Sequence, residues 1–557
     1  MLTCGSHSTA VYAGPLSARI AAWERPVAAE LLRSVPGNDA VTPARPEPAA
    51  RPYAWYVLGV LFVVYVLNFI DRNILSILSQ DIKTTLGLAD QQLGFLYGTA
   101  FAIFYALFGI PLGRLADTWH RGRLIAIGLA VWSTMTTVSG FAASFGQLAA
   151  ARIGVGIGEA SASPAAYSLL QDYFPARRRG LVLALYSSGL FVGGGLSLPI
   201  GGWVSHAWNR AYAAGGAPLH LVGWQAAFLA VGLPGLLLAL WVLTLREPAR
   251  SEASGRPTPV SHARAWRAFA LDLVAILPPL TLWSVVRFPG AFARNLALLA
   301  LVAGGSLFLC WLTGDVMQWV GLGIGLYAAA SWAQMLNATD RPTYALLFGT
   351  PAVVLALVGV GAVGYVSYGL FFWGSPYVMR TFHVSSDVVG VMLGVPGAFA
   401  SAAGCVVGGY LSDRWKRRDP RGRLFVCMLA VSLPAPIVLL VLRAADASGV
   451  YLLSPLLFFS TYLWVGAAVA TIQDCVLPRM RATAGAISLL AISLLGLALG
   501  PYCTGKVAAI AGSLRIGYAS VLLVMPVAIL LLWLAGRQIE AAEATKVVRA
   551  RAAGEPV

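Results

Sequence analysis

Residues 113–117 read Gly-Arg-Leu-Ala-Asp, and residues 409–413 read Gly-Tyr-Leu-Ser-Asp. Each copy lies at the end of a long apolar run, and clustered arginines follow each copy. A motif that recurs in the same setting half a chain later indicates an internal repeat. We therefore expect two matching halves, each built from the same succession of elements.

Each half contains six apolar runs of about 20 residues, the length of a helix that crosses a bilayer. Backbone groups in lipid must be satisfied internally, and continuous runs favour helices over the alternating strands of a barrel. Hydrophobic residues make up 58% of the chain and charged residues 11%, whereas soluble domains carry roughly 25% charged residues. The sequence thus predicts an all-α polytopic membrane protein with spans near 54–77, 91–115, 123–142, 147–171, 180–204 and 221–244, then 347–372, 386–411, 422–442, 451–473, 481–503 and 514–535.

Basic residues cluster after the even-numbered spans of each half, as at 120–123, 177–179 and 414–418. This asymmetry follows the positive-inside rule, so we expect both termini in the cytoplasm and the protein in the cell inner membrane. The net charge of +16 comes from these short loops. No basic domain with interleaved aromatic residues occurs, so we expect no nucleic-acid partner.

The chain divides by composition into five segments. A disordered cytoplasmic tail is expected at 1–52, a six-helix bundle at 53–245, a central loop at 246–346, a second bundle at 347–536, and a cytoplasmic tail at 537–557. The last tail either lies on the inner leaflet or is disordered.

The central loop is unusual because it holds three further apolar stretches, at 268–286, 295–313 and 317–336. Both bundles must start in the cytoplasm, so an even number of the three crosses the membrane. Pro278-Pro279 interrupts the first stretch, which indicates an interfacial or re-entrant segment. We expect the other two to cross as an inserted helical hairpin that turns outside near Asp315, giving fourteen spans.

The loop at 113–123 resembles the signature loop of the major facilitator superfamily, although Thr118 and His120 depart from it. The stretches 68–72, 152–160 and 232–235 are similar to those of the Spinster-like bacterial branch. The resemblance implies a secondary transporter that works by alternating access between two bundles. The stretches at 68–72 and 152–160 also resemble anion:cation symporters for sugar acids. Two substrates therefore stay open: an amphipathic or lysolipid-like anion moved with protons, and a small organic acid.

Ionisable residues inside spans are the strongest candidates for the mechanism, because each costs about 2.5–3.5 kcal/mol to insert. Arg152 and Glu159 are two helical turns apart on one face. If spans one and four meet at a central cavity, as the resemblance implies, Arg72 can pair with Glu159; the alternative is a permanent ion pair that only fixes packing. We expect proton coupling at Asp71 and Glu159, and substrate binding at Asn68, Arg72, Arg152, Tyr365 and Tyr368.

The repeated loop motif has two interpretations. The resemblance implies a latch that holds one conformational state, whereas the arginine clusters alone would serve to mark topology. The expected gating residues are Gly113, Asp117, Arg121, Gly409, Asp413 and Arg414.

Enzymatic chemistry is not expected. The six histidines lie in tails and loops, no nucleophile pairs with a base at mid-membrane depth, and the six cysteines lack metal-ligand spacing. We therefore expect no cofactor and no metal. The expected partners are the substrate, protons and the lipid bilayer, and the protein is expected to be a monomer.

Overall fold

The computed structural model describes residues 52–248, 262–277, 280–282 and 290–556. These residues form helices joined by short turns, and no strand occurs among them. The predicted tail at 1–52, apart from Pro52, and the interruption at Pro278-Pro279 lie outside the described residues.

The first half forms six helical units, as its apolar runs predict. Most extend past the predicted spans, because polar residues continue the helices beyond their apolar centres. They are α1 (Pro52–Leu86), α2 (Asp90–Thr118), α3 (Arg121–Ser139), α4 (Phe145–Glu159 and Ala162–Tyr173), α5 (Ala176–Ala211) and α6 (Gly223–Leu243).

The α4 unit is broken beside Glu159, which the sequence analysis did not predict. Proline at position 164 has no N–H to donate to the Ala160 carbonyl and its ring crowds that turn. Three glycines at 154, 156 and 158 precede the break and weaken the helix further. Glu159 is therefore the last residue of a helix and does not lie in its middle.

The described residues of the insertion include four helices: α7 (His262–Ile276), α8 (Ala291–Thr313), α9 (Val316–Thr339) and α10 (Arg341–Leu347). Gly314, in a left-handed conformation with φ of 77°, and Asp315 turn α8 into α9. Buried Asn295 donates from Nδ2 to Ser331 and Gln334 at 2.9 Å each and ties the two helices together. The inserted hairpin is thus present as a structural unit, while its crossing of the membrane stays a prediction.

The second half repeats the first. Its helices are α11 (Pro351–Phe382), α12 (Ser386–Lys416), α13 (Gly422–Arg443), α14 (Ala447–Asp474), α15 (Pro478–Ala511) and α16 (Leu514–Ala544), followed by α17 (Lys546–Ala552). Within α15, residues Ile492–Leu497 form a π-helical turn, a feature that is frequent at functional sites. Eleven helices in the described part of the chain are long and apolar enough to cross a membrane, so the chain is a multi-pass membrane protein.

The segment at 537–556 is helical, so the expectation of a disordered tail is wrong for these residues, while a position on the inner leaflet stays a prediction. It continues α16 and then forms α17, and both helices pack on the protein. Ile539, Ala542 and Ala550 are at most 5% exposed, and Lys546 donates to the Asp474 carbonyl at 2.7 Å. Ile539 and Ala542 are three residues apart on one face of α16, a spacing that predicts packing.

The two ends of the bundle are distinct. We call the end that carries Asp117 and Asp413 the motif end and the opposite end the distal end. Helix α1 begins at the motif end, where the Tyr53 hydroxyl accepts from the Arg246 N–H at 2.9 Å. The helix α7 also lies there, because Asp272 pairs with Arg114 at 2.6 Å and Trp266 packs edge-on against Trp119 at 5.2 Å.

The halves pack most extensively along two seams, α5 with α12 and α2 with α15, and α1 also contacts α11. Glycine permits this close approach: a Cβ at Gly195 would lie 2.2 Å from the Ala398 Cβ, and one at Gly98 would lie 2.3 Å from the Leu497 carbonyl oxygen. The backbones of the two bundles therefore touch directly on either side of the space between them.

Candidate functional site

A cavity of about 220 Å³ lies between the two halves, and we call it the central cavity. Helices α1, α2 and α5 of the first half line it, together with α11, α12, α14 and α15 of the second. Among the described residues that line it, Arg72 alone is charged. Most of the remaining wall is aromatic, aliphatic or glycine, with polar groups from Asn73, Tyr97, Ser367, Tyr368, Ser401 and Tyr462.

Arg72 forms a buried ion pair with Glu159, the pairing expected if spans one and four meet. Its Nη2 and Nε donate to the same Glu159 oxygen, Oε2, at 2.6 and 3.1 Å. The side chains are 10% and 0% exposed, so little water screens the pair. The break in α4 places the carboxylate at a helix end facing α1.

Three aromatic rings surround the Arg72 guanidinium. Its central carbon lies 4.6 Å from the ring centre of Phe69, 4.5 Å from Phe101 and 4.8 Å from Tyr105. Ring faces attract a cation at such distances, by about 0.5–2 kcal/mol each when desolvated. The rings therefore stabilise the charge of Arg72 even when its carboxylate partner is neutral.

Arg152 is fully buried and turned toward the backbone. Its guanidinium donates to the carbonyls of Asp71 at 3.2 Å, Arg72 at 3.3 Å and Leu96 at 3.4 Å. It is not among the residues that line the central cavity. Its position fastens α4 to α1 and α2, so the geometry gives no support to the expected role in substrate binding.

Asp71 is fully buried, and neither of its carboxylate oxygens has a hydrogen-bond partner among the described residues. Trp132 faces Asp71 and Asn68 faces Glu159, but the Asn68 amide nitrogen, the Trp132 indole nitrogen and Glu159 Oε1 make no hydrogen bond of good geometry among the described residues. Buried polar groups are almost always paired, and exceptions call for an explanation such as a functional role. Asn68, Asp71 and Glu159 thus share a buried environment beside the cavity wall.

The two expected tyrosines of α11 differ in position. Tyr368 lines the central cavity, whereas Tyr365 does not and instead faces Cys503 and Thr504 of α15. The sequence analysis missed Asn73 and Tyr97, which also line the cavity and are joined by a hydrogen bond of 2.9 Å from the Tyr97 hydroxyl. Asn73 directly follows Arg72 in the sequence, and this position within an apolar run could have identified it as a candidate.

Arg121 is the centre of a charged network at the motif end. It is 1% exposed and donates to Asp172 at 2.5 Å, to Glu247 at 2.7 Å, and to the Ser168 hydroxyl at 3.0 Å. It therefore joins the start of α3 to the end of α4 and to the segment after α6.

The second half repeats this network around Arg423, which the sequence analysis missed. Arg423 donates to Asp474 at 2.5 Å, to the Ala470 carbonyl at 3.0 Å and to Asp413 at 3.4 Å. The expected gating residue Arg414 is exposed, and its side chain donates to the Tyr410 hydroxyl of its own helix at 3.3 Å. Arg423, not Arg414, therefore occupies the place of Arg121.

The other expected gating residues lie at the surface of the motif end. Asp117 and Asp413 are exposed, and Gly113 and Gly409 are half-buried. A Cβ at Gly113 would make an ordinary 3.7 Å contact with Pro164, and one at Gly409 would meet no atom within 4 Å. In this state neither glycine is required by close packing, so their gating role stays a prediction.

Asp340 connects the insertion to the second half at the same end. It caps α10 by accepting from Thr343 N at 3.2 Å, and it accepts from Arg479 at 2.9 Å. The hydrogen bond from the Arg479 guanidinium lowers the pKa of the Asp340 carboxyl to about 2. The C-terminal segment joins this cluster, because Arg479 also pairs with Glu555.

A cluster of charged and polar side chains closes the distal end, and no sequence motif predicted it. Arg380 of α11 donates to Gln80 of α1 at 2.5 Å and to Asp90 of α2 at 2.9 Å. Lys83 pairs with the same Asp90 at 2.7 Å, and the Ser76 hydroxyl donates to the Phe372 carbonyl at 2.7 Å. These contacts join the first half to the second above the central cavity.

Comparison with known proteins shows a broad likeness. A family profile described as Major Facilitator Superfamily matches residues 61–501. An MFS-type efflux pump of Mycolicibacterium smegmatis (strain ATCC 700084 / mc(2)155) is 27% identical over 454 residues, covering 81% of this chain and 84% of the relative. A probable L-galactonate transporter of Escherichia coli (strain K12) is 23% identical over 462 residues, covering 82% of this chain and 83% of the relative.

Among solved structures, the crystal structure of a bacterial homologue of the human lysosomal transporter Spinster superposes with a TM-score of 0.64. That structure is in an inward-facing and unoccupied conformation. The two chains are 25% identical, and the alignment covers 90% of this chain and 99% of the other.

Proposed function

The chain belongs to the Major Facilitator Superfamily, as its sequence predicted, and on this premise we propose that it is a proton-coupled secondary transporter of an amphipathic, lysolipid-like anion. The observation that carries the proposal is the Arg72–Glu159 pair at the wall of the central cavity. Arg72 is the one charged group among the described residues that line this largely apolar cavity, which suits a substrate with one anionic group and an apolar body.

Glu159 acts in this proposal as the proton-binding group. While Glu159 is ionised, its charge neutralises Arg72 and holds both groups together. When Glu159 binds a proton, Arg72 loses its counter-charge and becomes available to an anion in the cavity. Substrate and proton thus favour the same state, which is the requirement for coupling two ligands.

Asp71 is the second proton-binding candidate. Its carboxylate is buried beside the Trp132 indole and makes no hydrogen bond of good geometry in the described part of the chain, and burying a poorly paired charge is costly. Arg152 lies nearby, but its guanidinium donates its hydrogen bonds to backbone carbonyls. A rearrangement of α1 against α4 would alter the environments of Asp71 and Glu159 together, because these groups share the same helix contact.

The closed distal end supports a working cycle of alternating access. Arg380 bridges the halves there, whereas the lining of the central cavity extends to Val469 and Leu489 on the motif-end parts of α14 and α15. We assign the motif end to the cytoplasm, from the loop charges. In that orientation the structure corresponds to an inward-facing state, and rocking of the bundles would open the distal end.

A proton-coupled symporter of small organic acids such as sugar acids is the second candidate. The central cavity of about 220 Å³ favours it, because that volume is below the roughly 300–1,000 Å³ of typical ligand pockets. The largely apolar wall counts against it, since the hydroxyls of a sugar acid require many hydrogen-bond partners.

Uptake into proteoliposomes under an imposed pH gradient distinguishes the two candidates. A lysolipid panel and a sugar-acid panel are offered to the wild type and to Arg72→Ala. We expect pH-driven uptake of an anionic lysolipid by the wild type and its loss in the variant. Uptake of a sugar acid alone would replace the first proposal by the second.

A further inference from the structure

The inserted hairpin contacts both halves of the transporter near the distal end. On α9, Gln318 accepts a hydrogen bond of 2.6 Å from the Thr99 hydroxyl of α2. At the hairpin turn, Asp315 accepts from Lys506 at 2.7 Å and from the Tyr502 hydroxyl at 2.8 Å, both on α15. One element therefore holds a helix of the first half and a helix of the second.

The seam beneath the hairpin is closed backbone against backbone. A Cβ at Gly94 of α2 would lie 2.4 Å from the Pro501 carbonyl oxygen, and one at Gly505 of α15 would lie 2.6 Å from the Asp90 carbonyl oxygen. The Thr99 oxygen also lies 3.0 Å from the Ala498 carbonyl oxygen across the seam, so its one hydroxyl proton is shared between Gln318 and Ala498. The hairpin thus lies along a joint that is already shut in this state.

The contacts of the hairpin with this seam are shielded from solvent. Gln318 is 2% exposed, and the side chains of Asp315 and Lys506 are 17% and 19% exposed. Lys506 also donates to the Thr313 carbonyl at 2.6 Å, and Trp319 packs edge-on against Tyr502 at 5.5 Å. Separating these groups would break the ion pair and the hydrogen bonds that they make with the seam, which is costly.

We propose that the inserted hairpin is a strap that holds the distal seam between α2 and α15 closed and so favours the state open at the motif end. Opening the distal end moves α2 away from α15, and α9 can follow only one of them. Either the Thr99–Gln318 contact or the Asp315–Lys506 contact must then break. The inference rests on the alternating access of the proposed function but not on the identity of its substrate.

Distances across the distal end test the strap directly. Spin labels are placed at Thr84 and Thr381, two exposed residues at the distal ends of α1 and α11, in a background with the six native cysteines replaced by serine. Double electron–electron resonance in substrate-free proteoliposomes then measures the distances between the two labels and so reports the populations of closed and open distal ends. We expect Asp315→Asn with Gln318→Ala to raise the long-distance population about fivefold.

Two further variants separate the strap from general damage. Asp446→Asn removes a charge from an exposed helix cap that touches only its own half, and we expect it to leave the distances unchanged. The exchange Asp315→Lys with Lys506→Asp restores an ion pair, and we expect it to return the population toward the wild type. An unchanged population in the folded double variant, or the same rise in Asp446→Asn, would overturn the strap.

The outcome is independent of the uptake experiment. If the strap proposal is wrong, the hairpin variants leave the spin-label distances unaltered while substrate uptake still depends on the pH gradient. A failed substrate assignment changes the uptake panel while the distances still respond to Asp315 and Gln318.

Discussion

Replacing Glu159 by glutamine removes the negative charge of the buried pair and keeps the shape of the side chain. In the structure Arg72 donates twice to one oxygen, Oε2, at 2.6 and 3.1 Å. The amide oxygen of glutamine can still accept from Arg72. The variant therefore mimics a permanently protonated carboxyl that leaves Arg72 without a counter-charge.

The expected loss of stability follows from that geometry. Removing one partner of a buried ion pair typically costs about 3–5 kcal/mol. A hydrogen bond kept between the glutamine oxygen and Arg72 restores about 1.5–3 kcal/mol, because its donor is charged. We therefore expect a net loss between about 0 and 3.5 kcal/mol, whereas Glu159→Leu, with no acceptor, should lose close to the full amount.

The assay measures accumulation and exchange separately in proteoliposomes. With Glu159→Gln, accumulation driven by a pH gradient should fall to the level seen without a gradient, since residue 159 can no longer bind and release the proton that frees Arg72. Exchange of substrate at equal pH should persist, because Arg72 stays available to the anion. Unfolding in detergent gives the stability of the same preparations.

Glu540→Gln serves as the matched control, since Glu540 is an exposed glutamate of α16. It should behave as the wild type in all three measurements. Full pH-driven accumulation by Glu159→Gln would refute the reasoning and reduce the pair to a packing element.

Three other outcomes follow from the structure. Gly98→Ala should open the distal seam, because its Cβ would lie 2.3 Å from the Leu497 oxygen; the overpacking costs about 1–3 kcal/mol, and unchanged spin-label distances would contradict it. Above pH ~4 the wild type should be more stable than Asp340→Asn by about 0.5–1 kcal/mol, because the Arg479 contact lowers the pKa of the Asp340 carboxyl. This difference should vanish as the pH falls to about 2. Equal stability of the two proteins at neutral pH would argue against the contact. Tyr368→Ala should raise KM for the transported anion about tenfold with kcat little changed, and a KM within about twofold of the wild type would place the substrate elsewhere.

The repeat made part of the motif-end network predictable. Arg121 and Asp172 are 51 residues apart, and so are Arg423 and Asp474. Aligning the halves on this spacing would have identified Arg423 in place of Arg414. The choice of Arg414 came from its position directly after Asp413, although adjacent residues on a helix point in different directions.

The depth of a residue in the membrane could be counted along the sequence. The direction in which its side chain points about the helix axis could not. Counting along the spans sufficed to select Asp71, Arg72 and Glu159, because charges in apolar runs are rare and costly. It did not show that Arg152 faces backbone carbonyls while Arg72 faces the cavity. That difference depends on how α4 packs against α1.

The sequence by itself determined the helical membrane fold, the two matching halves, the inserted hairpin and the family, because these depend on hydropathy, length and repeated motifs. Only the tertiary structure decided which helices touch across the midline. The distal contact of Arg380 with Asp90 and the hairpin lying over the α2–α15 seam join residues that are far apart in the chain. Such contacts are set by the packing of glycine faces and by the rotation of each helix, which local sequence patterns do not encode.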